Sequence, residues 1–292
     1  MNSQAQLNEA SSPSILAVSP LDGYDWSTID RAALLAERWK GRLIVLKAKN
    51  NRELSDAERR SIKEGIERRI AVLGPLAPVE LISGAAYSSD AILEAVTQFT
   101  PRLVVMAPSV VWALGTLVDT APETVAAGTR CPVLVTRSGS EAYASGLIAT
   151  DLSPSCVDAV REALRLELLP VDRLTVLHAF SPLNEAMVTY AGVDPKEAER
   201  IAVAAEAKAM DDLDVFIDRC GLSGKVNART RKAPPAAAVL EAANAIQADL
   251  ILLGSSRRGG LARFLMGSTV GEVLTAARCD VLVAPGSSNA LD

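Results

Sequence analysis

An internal duplication is the feature that most constrains the fold of this chain of 292 residues. Three segments of the first half return in the same order in the second half, at offsets of 131, 147 and 148 residues. Ordered matches at a nearly constant spacing indicate two copies of one domain. The matched pairs are RLIVLKAK (42–49) with RLTVLHAF (173–180), ILEAVTQFTPRLVVM (92–106) with VLEAANAIQADLILL (239–253), and RCPVLV (130–135) with RCDVLV (278–283).

The spacing of the matches also predicts the domain boundaries. The offset rises after the first match, so we expect an insertion in the second copy within residues 181–200. The segment SGSEAYASG, residues 138–146, is small, polar and glycine-containing, which is typical of an inter-domain linker. We therefore predict a flexible N-terminus at residues 1–12, a first domain at 13–138 and a second domain at 145–286.

Within each copy, short apolar runs alternate with helical patterns. Alternation of this kind predicts an α/β fold in which two tandem domains each have a doubly wound parallel sheet. Ser153 and Pro154 suit the start of a helix that runs through about residue 168. In the second copy we predict strands at 146–150, 174–179, 225–230, 250–253 and 281–284, with further helices at 195–220, 236–247 and 269–277.

Composition narrows the class of protein. The net charge of -5 argues against nonspecific binding to nucleic acid or to an anionic membrane. No apolar run reaches the roughly 18 residues that span a bilayer, and the first dozen residues lack the apolar core of a signal peptide. The four cysteines lie far apart and are typical of small buried side chains in a reducing compartment. These features predict a cytoplasmic protein with neither a membrane nor a nucleic acid as its partner.

Polar residues and glycines follow three strands of the second copy. In doubly wound sheets, ligands bind at the carboxyl ends of the strands, where the strand order switches direction. Asp151 follows the first strand, and Gly267-Ser268-Thr269 opens the last helix. Backbone amides at the start of a helix favour a phosphate, and a carboxylate can accept hydrogen bonds from a ribose or an adenine amine. The pattern predicts a mononucleotide cleft.

Four segments of the second half form a recognisable set: TDLSPS (150–155), LTVLHAF (174–180), ADLILLGSS (248–256) and GGLARFLMGST (259–269). Through them the second half resembles the universal stress protein family over nearly its whole length. Nucleotide-binding members carry G-x-x-G, nine residues and then G-[S/T], and here Gly254, residues 258–266 and Gly267-Ser268 match that frame. The resemblance implies an adenine nucleotide alpha hydrolase-like fold and dimerisation, which tandem members mimic inside one chain.

The same resemblance implies roles for individual residues. Asp151 would face the ribose, and Ala149 and Ala179 would lie by the adenine. Leu253 would pack on the adenine ring. The phosphates would be held by Gly254, Gly267, Ser268 and Thr269. The second glycine of the family pattern is Arg257 in this chain, and its side chain could pair with a phosphate, fill the pocket or disfavour the backbone angles that glycine allows.

The first copy departs further from the pattern. Ser19, followed by Pro20, stands where we align Asp151, and Ala107-Pro108 stands where we align Gly254. Asp119-Thr120 replaces Gly267-Ser268, so a carboxylate would repel a phosphate there. We expect the first copy to bind no nucleotide triphosphate. Its cleft would be empty or would hold an apolar group near Trp112 and Leu114.

Simpler interpretations compete with the ligand roles. Asp151 can merely cap the turn into its helix, and His178, the only histidine, is more typical of a packed or capped strand end. The patterns G-x-S-x-G, G-x-x-x-x-G-K-[ST] and G-x-G-x-x-G do not occur, so we predict no catalytic residue and at most slow ATP hydrolysis.

Three functional hypotheses follow. The leading one is a cytoplasmic stress-response protein whose second domain binds ATP or a related adenine nucleotide, with or without Mg²⁺, as a binding module or switch. It would form a homodimer or bind an unknown protein partner. The alternative is a structural dimer or partner-binding scaffold that binds no nucleotide. A third, an adenylating enzyme, ranks lowest because a Ser-Gly-Gly-x-Asp-Ser loop is absent after either first strand.

Overall fold

The computed structural model of the protein describes residues 13–19, 26–48, 55–72, 78–84, 88–108, 122–137, 142–180, 194–255 and 267–286. The chain divides into two compact units, Met1–Glu141 and Ala142–Asp292, and the division falls within the predicted linker. Some predicted features lie outside the described residues: the N-terminus 1–12, Pro20, Trp112, Leu114, Asp119-Thr120, residues 181–193 of the insertion, and Arg257.

The first unit has five parallel strands in the order β3-β2-β1-β4-β5. Helices α1 and α2 pack against each other, and so do α3 and α4. Its elements are β1 (Ser14–Ser19), α1 (Ser27–Arg38), β2 (Arg42–Ala48), α2 (Asp56–Ile70), β3 (Val79–Gly84), α3 (Ser89–Phe99), β4 (Leu103–Met106), α4 (Pro122–Gly128) and β5 (Val133–Val135).

The second unit repeats this architecture, with five parallel strands in the order β8-β7-β6-β9-β10. Helix α5 packs on β9 and β10, whereas α7 packs on β6 and β7. Its elements are β6 (Gly146–Thr150), α5 (Pro154–Leu164), a short 3-10 helix (Val171–Arg173), β7 (Leu174–Phe180), α6 (Pro195–Cys220), β8 (Asn227–Lys232), α7 (Pro235–Ala245), β9 (Leu250–Ser255), α8 (Ser268–Ala276) and β10 (Asp280–Pro285). The predicted α/β fold with two tandem doubly wound parallel sheets is confirmed.

The core of each unit lies on its central strands. Strand β1 is buried at every position, and β9 and β10 are each buried at all but one. Strands that are buried on both faces have continuous runs of Val, Ile and Leu. The apolar segments of the sequence therefore predicted their positions. Among the described helices, none is both long and apolar enough to cross a membrane.

Local signals set the helix ends. The Ser153 hydroxyl accepts a hydrogen bond from the Cys156 amide at 3.2 Å, and Pro154 occupies the first helical turn of α5. Helix α6 ends at Gly221, whose φ of 75° is a left-handed conformation that glycine adopts readily. Both predictions are confirmed.

Other bounds differ from the predictions. Helix α5 ends at Leu164 and not near residue 168, because Glu167 turns the chain with a φ of 50°. Strand β8 begins at Asn227, two residues after its predicted start. Helix α6 has 26 residues against 15 in α2, so part of the extra length of the second copy lies inside this helix.

The end of the predicted linker is anchored in the second unit. Asp249 Oδ2 accepts hydrogen bonds from the backbone amides of Ala144 at 2.8 Å and Ser145 at 3.0 Å. Tyr143 is buried, and Gly146 already begins β6. The linker predicted for residues 138–146 is therefore shorter at this end.

Candidate functional site

The carboxyl edge of the second sheet contains a point where the strand order reverses. Strand β6 pairs with β7 on one side and with β9 on the other. The chain passes from β6 to β7 and β8 in one direction and returns to β9 and β10 in the other. The crevice between β6 and β9 at this edge is the expected ligand position in such a sheet.

Asp151 follows β6 at this crevice and is exposed. Its Oδ1 accepts a hydrogen bond from the Ser153 amide at 3.0 Å. The Thr150 hydroxyl accepts one from the Leu152 amide at 2.9 Å, and Leu152 has a φ of 63°. The local capping interpretation of Asp151 is thus confirmed. The turn also holds the carboxylate in a fixed position at the mouth of the crevice.

Gly254 follows Leu253, the last β9 residue in register with β6, and itself pairs with Ala284 on β10. A Cβ atom at this position would lie 3.1 Å from Ala159 Cβ and 3.2 Å from Cys156 Sγ. Helix α5 therefore approaches the β9 backbone so closely that a larger residue would have to displace its neighbours by a few tenths of an ångström. This packing favours glycine whether or not a phosphate approaches the same residue.

The three residues predicted to contact an adenine lie on one face of the sheet. Ala149 is in register with both Leu253 on β9 and Leu177 on β7, and Ala179 follows Leu177 by two residues. Side chains at register partners, and at positions two apart, point to the same face of a parallel sheet. Ala149 and Ala179 are half-buried, and Leu253 is buried. This face is opposite to the one where Gly254 meets α5.

Helix α8 begins at the same edge, after β9. Its N-cap, Gly267, has φ -58° and ψ 144°, and none of the described side chains caps the helix. The first turn contains no acidic residue. Gly267 and Ser268 are exposed and Thr269 is half-buried, and a Cβ atom at Gly267 would meet nothing within 4 Å. The first-turn amides of an α-helix lack intrahelical acceptors, so this open terminus can receive an anion.

His178 has a structural role. Its Nδ1 donates a hydrogen bond to the Thr150 carbonyl oxygen at 3.0 Å, which joins β7 to the end of β6. The prediction of a packed strand-end histidine is confirmed.

Cys156 is buried where α5 packs on Gly254 of β9, a contact that the sequence analysis missed. Its Sγ lies 4.0 Å from the Ala149 carbonyl oxygen. Burial raises the pKa of this thiol to about 11, so the group is neutral at physiological pH. The cysteine stands in the first turn of α5, directly after the Ser153 cap, and this position was the available signal.

Charged side chains lie on the edge strand β8, and these were also missed. Arg231 is in register with Ala179, and its Nη2 donates a hydrogen bond to the Glu241 carboxylate on α7. Only the tertiary structure brings these two residues together. Among the described residues, no group of three or more His, Cys, Asp or Glu side chains is placed to hold a metal ion.

Strand register corrects one alignment between the two copies. In the first copy, Ser19 pairs with Lys47 and Val18 pairs with Met106. In the second copy, Thr150 pairs with His178 and Ala149 pairs with Leu253. Ser19 therefore corresponds to Thr150 and not to Asp151, as the sequence alignment had it. Ala107 corresponds to Gly254 as predicted, because it follows Met106 as Gly254 follows Leu253.

Comparison with known proteins assigns the second half of the chain. Residues 145–285 match the model of the universal stress protein family. These residues, which lie within the second unit, are similar to a universal stress protein domain. All the residues predicted to line the site fall inside this domain, whereas the first unit lies outside the match. No curated protein sequence matches the chain.

Solved structures extend the likeness in fold to both units. A functionally unknown protein from Pseudomonas aeruginosa PAO1 is 18% identical over 96% of this chain and 94% of its own, with a TM-score of 0.66. A universal stress protein from Archaeoglobus fulgidus DSM 4304 is 17% identical over 96% of this chain and 98% of its own, with a TM-score of 0.62. At these identities the likeness establishes a common fold.

Proposed function

We propose that the universal stress protein domain binds ATP or a related adenine nucleotide and acts as a binding module or switch in a cytoplasmic stress response. The N-terminus of α8 carries this proposal, because no described side chain caps its first-turn amides and a Cβ atom at Gly267 would meet nothing within 4 Å. The absence of an acidic residue in that turn removes the main electrostatic obstacle to a phosphate.

The described residues fit each part of such a ligand. The apolar face at Ala149, Ala179 and Leu253 suits an adenine ring, and the exposed carboxylate of Asp151 suits the ribose hydroxyls. The α8 amides and the hydroxyls of Ser268 and Thr269 would then hold the phosphates. ATP can bring its own Mg²⁺ on the phosphates, so the proposal needs no metal cluster in the protein.

Binding without efficient catalysis is the favoured mode. His178 Nδ1 donates to the Thr150 carbonyl oxygen, and no described hydroxyl or thiol forms a hydrogen bond with its other ring nitrogen, so this histidine has no nucleophile to activate among the described residues. We therefore expect at most slow hydrolysis of ATP. The proposal includes a homodimer or a further protein partner, which analytical ultracentrifugation with and without ATP would detect.

Gly267→Asp tests the proposal without weakening the fold. Aspartate is a favoured N-cap residue, and the added side chain meets no neighbouring atom, so stability should hold or rise by about a few tenths of a kcal/mol. The new carboxylate would lie at the phosphate position and should weaken ATP binding by about tenfold or more. Gly267→Ser is the neutral control, because serine caps the helix equally well without a charge.

Isothermal titration of the full chain with ATP provides the measurement. We expect binding by the native chain and the Ser variant and weakened binding by the Asp variant. Equal affinity for ATP in the native chain and both variants would show that the N-terminus of α8 is not part of the binding site. If the native chain binds no ATP but Arg257→Gly does, the scaffold alternative is correct and Arg257 closes the pocket.

A further inference from the structure

The last residue of β6 is a buried threonine that directly precedes Asp151. Thr150 is only 8% exposed and is in register with His178 on β7. Its hydroxyl and its carbonyl oxygen each accept a hydrogen bond, and the two donors belong to different parts of the chain. Thr150 therefore connects the turn after β6 to the neighbouring strand.

These two hydrogen bonds hold the peptide groups on both sides of the Asp151 Cα atom. The carbonyl oxygen of Thr150, in the peptide before Asp151, accepts from His178 Nδ1 at 3.0 Å. The amide of Leu152, in the peptide after Asp151, donates to the Thr150 hydroxyl at 2.9 Å. The φ and ψ angles of a residue set the orientations of its two flanking peptide planes. Both bonds therefore fix the direction in which the Asp151 side chain leaves the backbone.

The Thr150 hydroxyl also maintains an unfavourable backbone conformation. Leu152 has a φ of 63°, and this left-handed region brings the Cβ atom of an L-residue close to a carbonyl oxygen. The hydrogen bond from the Leu152 amide offsets that cost. Without the hydroxyl, the turn would favour an ordinary negative φ at Leu152. The peptide between Asp151 and Leu152 would then rotate, and the carboxylate would move with it.

The Asp151 carboxylate has one oxygen left for a ligand. Oδ1 accepts a hydrogen bond from the Ser153 amide at 3.0 Å. Within the part of the chain that the structure describes, Oδ2 accepts no hydrogen bond. A carboxylate forms stronger hydrogen bonds than a neutral acceptor does, and an acceptor held in position loses less entropy when the ligand binds. A fixed Oδ2 atom is therefore suited to the hydroxyls of a ribose.

We infer that Thr150 is a positioning residue that acts through Asp151 and sets the preference of the second unit for nucleotides with both ribose hydroxyls. This inference rests on the proposed function, because the ribose contact exists only if the unit binds a nucleotide. Thr150 itself touches no ligand. Its effect should therefore appear in the discrimination between sugars and not in the affinity for the base or the phosphates.

The test compares two ligands by isothermal titration of the full chain: ATP, and dideoxyadenosine triphosphate, which lacks both ribose hydroxyls. The native chain should bind ATP more tightly by about tenfold or more. Thr150→Val removes the hydroxyl and keeps the shape of the side chain, and it should reduce this ratio of affinities to about twofold or less. Thr150→Ser keeps the hydroxyl and should keep the ratio.

Two further variants separate positioning from general stability. Thr175→Val is the matched control, because it makes the same change at a buried threonine of β7, three residues before His178. It should leave the ratio unchanged. Thr150→Val combined with Asp151→Asn should lower the ratio no further than Asp151→Asn alone, since both changes act on the same carboxylate. If Thr150→Val fails to fold, Thr150→Ala should show the same loss of discrimination.

The outcomes distinguish this inference from the function on which it rests. Equal weakening of both ligands by Thr150→Val, with the ratio preserved, would overturn the inference and leave nucleotide binding intact. A native chain that binds the two ligands equally would do the same. Binding of neither ligand by the native chain would overturn the proposed function and the inference together. Loss of the ratio in Thr150→Val, with the ratio kept in Thr150→Ser and Thr175→Val, would support the positioning role.

Discussion

The phenol of Tyr143 donates a hydrogen bond to Asp280 Oδ2 at 2.6 Å, and both side chains are buried. Tyr143 precedes β6, and Asp280 is the first residue of β10, so the bond ties the entry of the second unit to its last strand. Tyr143→Phe removes one hydrogen bond to a buried carboxylate. The free energy of unfolding should fall by about 1.5–3 kcal/mol in urea denaturation.

A double-mutant cycle with Asp280→Asn isolates this interaction. The two changes together should cost less than the sum of the single changes, because both weaken the same hydrogen bond. Strict additivity, or a Tyr143→Phe variant as stable as the native chain, would show that the contact contributes little.

Gly254→Ala should destabilise the second unit. The new methyl group would press against Ala159 and Cys156 in α5, and overpacking of this kind typically costs about 1–3 kcal/mol. Gly271→Ala is the matched control, because its methyl group would meet nothing within 4 Å and alanine favours a helix by about 1 kcal/mol. Thermal unfolding should move the two variants in opposite directions. A Gly254→Ala variant with unchanged Tm would contradict the close packing.

Two substitutions of Asp151 separate its structural role from its proposed ligand role. Asp151→Asn keeps an oxygen that accepts the Ser153 amide, so stability should hold, whereas Asp151→Ala should lower it by about 1 kcal/mol. Both variants lack the carboxylate and should bind ATP more weakly in isothermal titration. Native affinity in the Asn variant would limit Asp151 to the turn.

Burial controls the chemistry of two cysteines. It raises the pKa of Cys156 to about 11 and that of Cys220 to about 12, from an ordinary value of 9.0. In the folded chain at pH 8, iodoacetamide should therefore modify these two thiols more slowly than the half-buried Cys131 and Cys279. Peptide mass spectrometry after timed alkylation would measure the order, and fast modification of Cys156 would contradict it.

The same shifts predict how stability depends on pH. Above about pH 9 the unfolded chain releases thiol protons that the folded chain retains, so the unfolded state gains free energy of ionisation. The contribution of both thiols to stability is complete below pH 9 and is lost as the pH rises towards 11 and 12. Replacing both cysteines with alanine should reduce this fall in the free energy of unfolding between pH 9 and 12, measured by urea denaturation at a series of pH values.

The sequence predicted the ends of helices correctly where neighbouring residues determine them. Helix α6 has its predicted bounds because Asp194 and Pro195 begin it and Gly221 ends it. Helix α5 was predicted four residues too long, because Leu166 and Leu168 continue its apolar pattern. Both leucines are indeed buried, but from the turn that follows the helix.

The site was predictable only in part, because much of it depends on contacts between distant segments. The motifs located the edge of the sheet, and chain order placed Asp151 and Gly267 there. The packing of Gly254 on Cys156 and the pairing of Arg231 with Glu241 arise from tertiary structure alone. Ser19 was aligned one residue out of place because strand register, and not the identity of the residue, defines its counterpart.

The open cap of α8 has a consequence for protein engineering. A library of variants selected only for survival of heating would replace Gly267 with aspartate or asparagine, since either residue improves the start of the helix. Substitution at this position would then raise thermal stability while it lowers the affinity for the proposed ligand. A thermostable descendant obtained in this way would retain the shape of the domain after losing the ligand we propose for it.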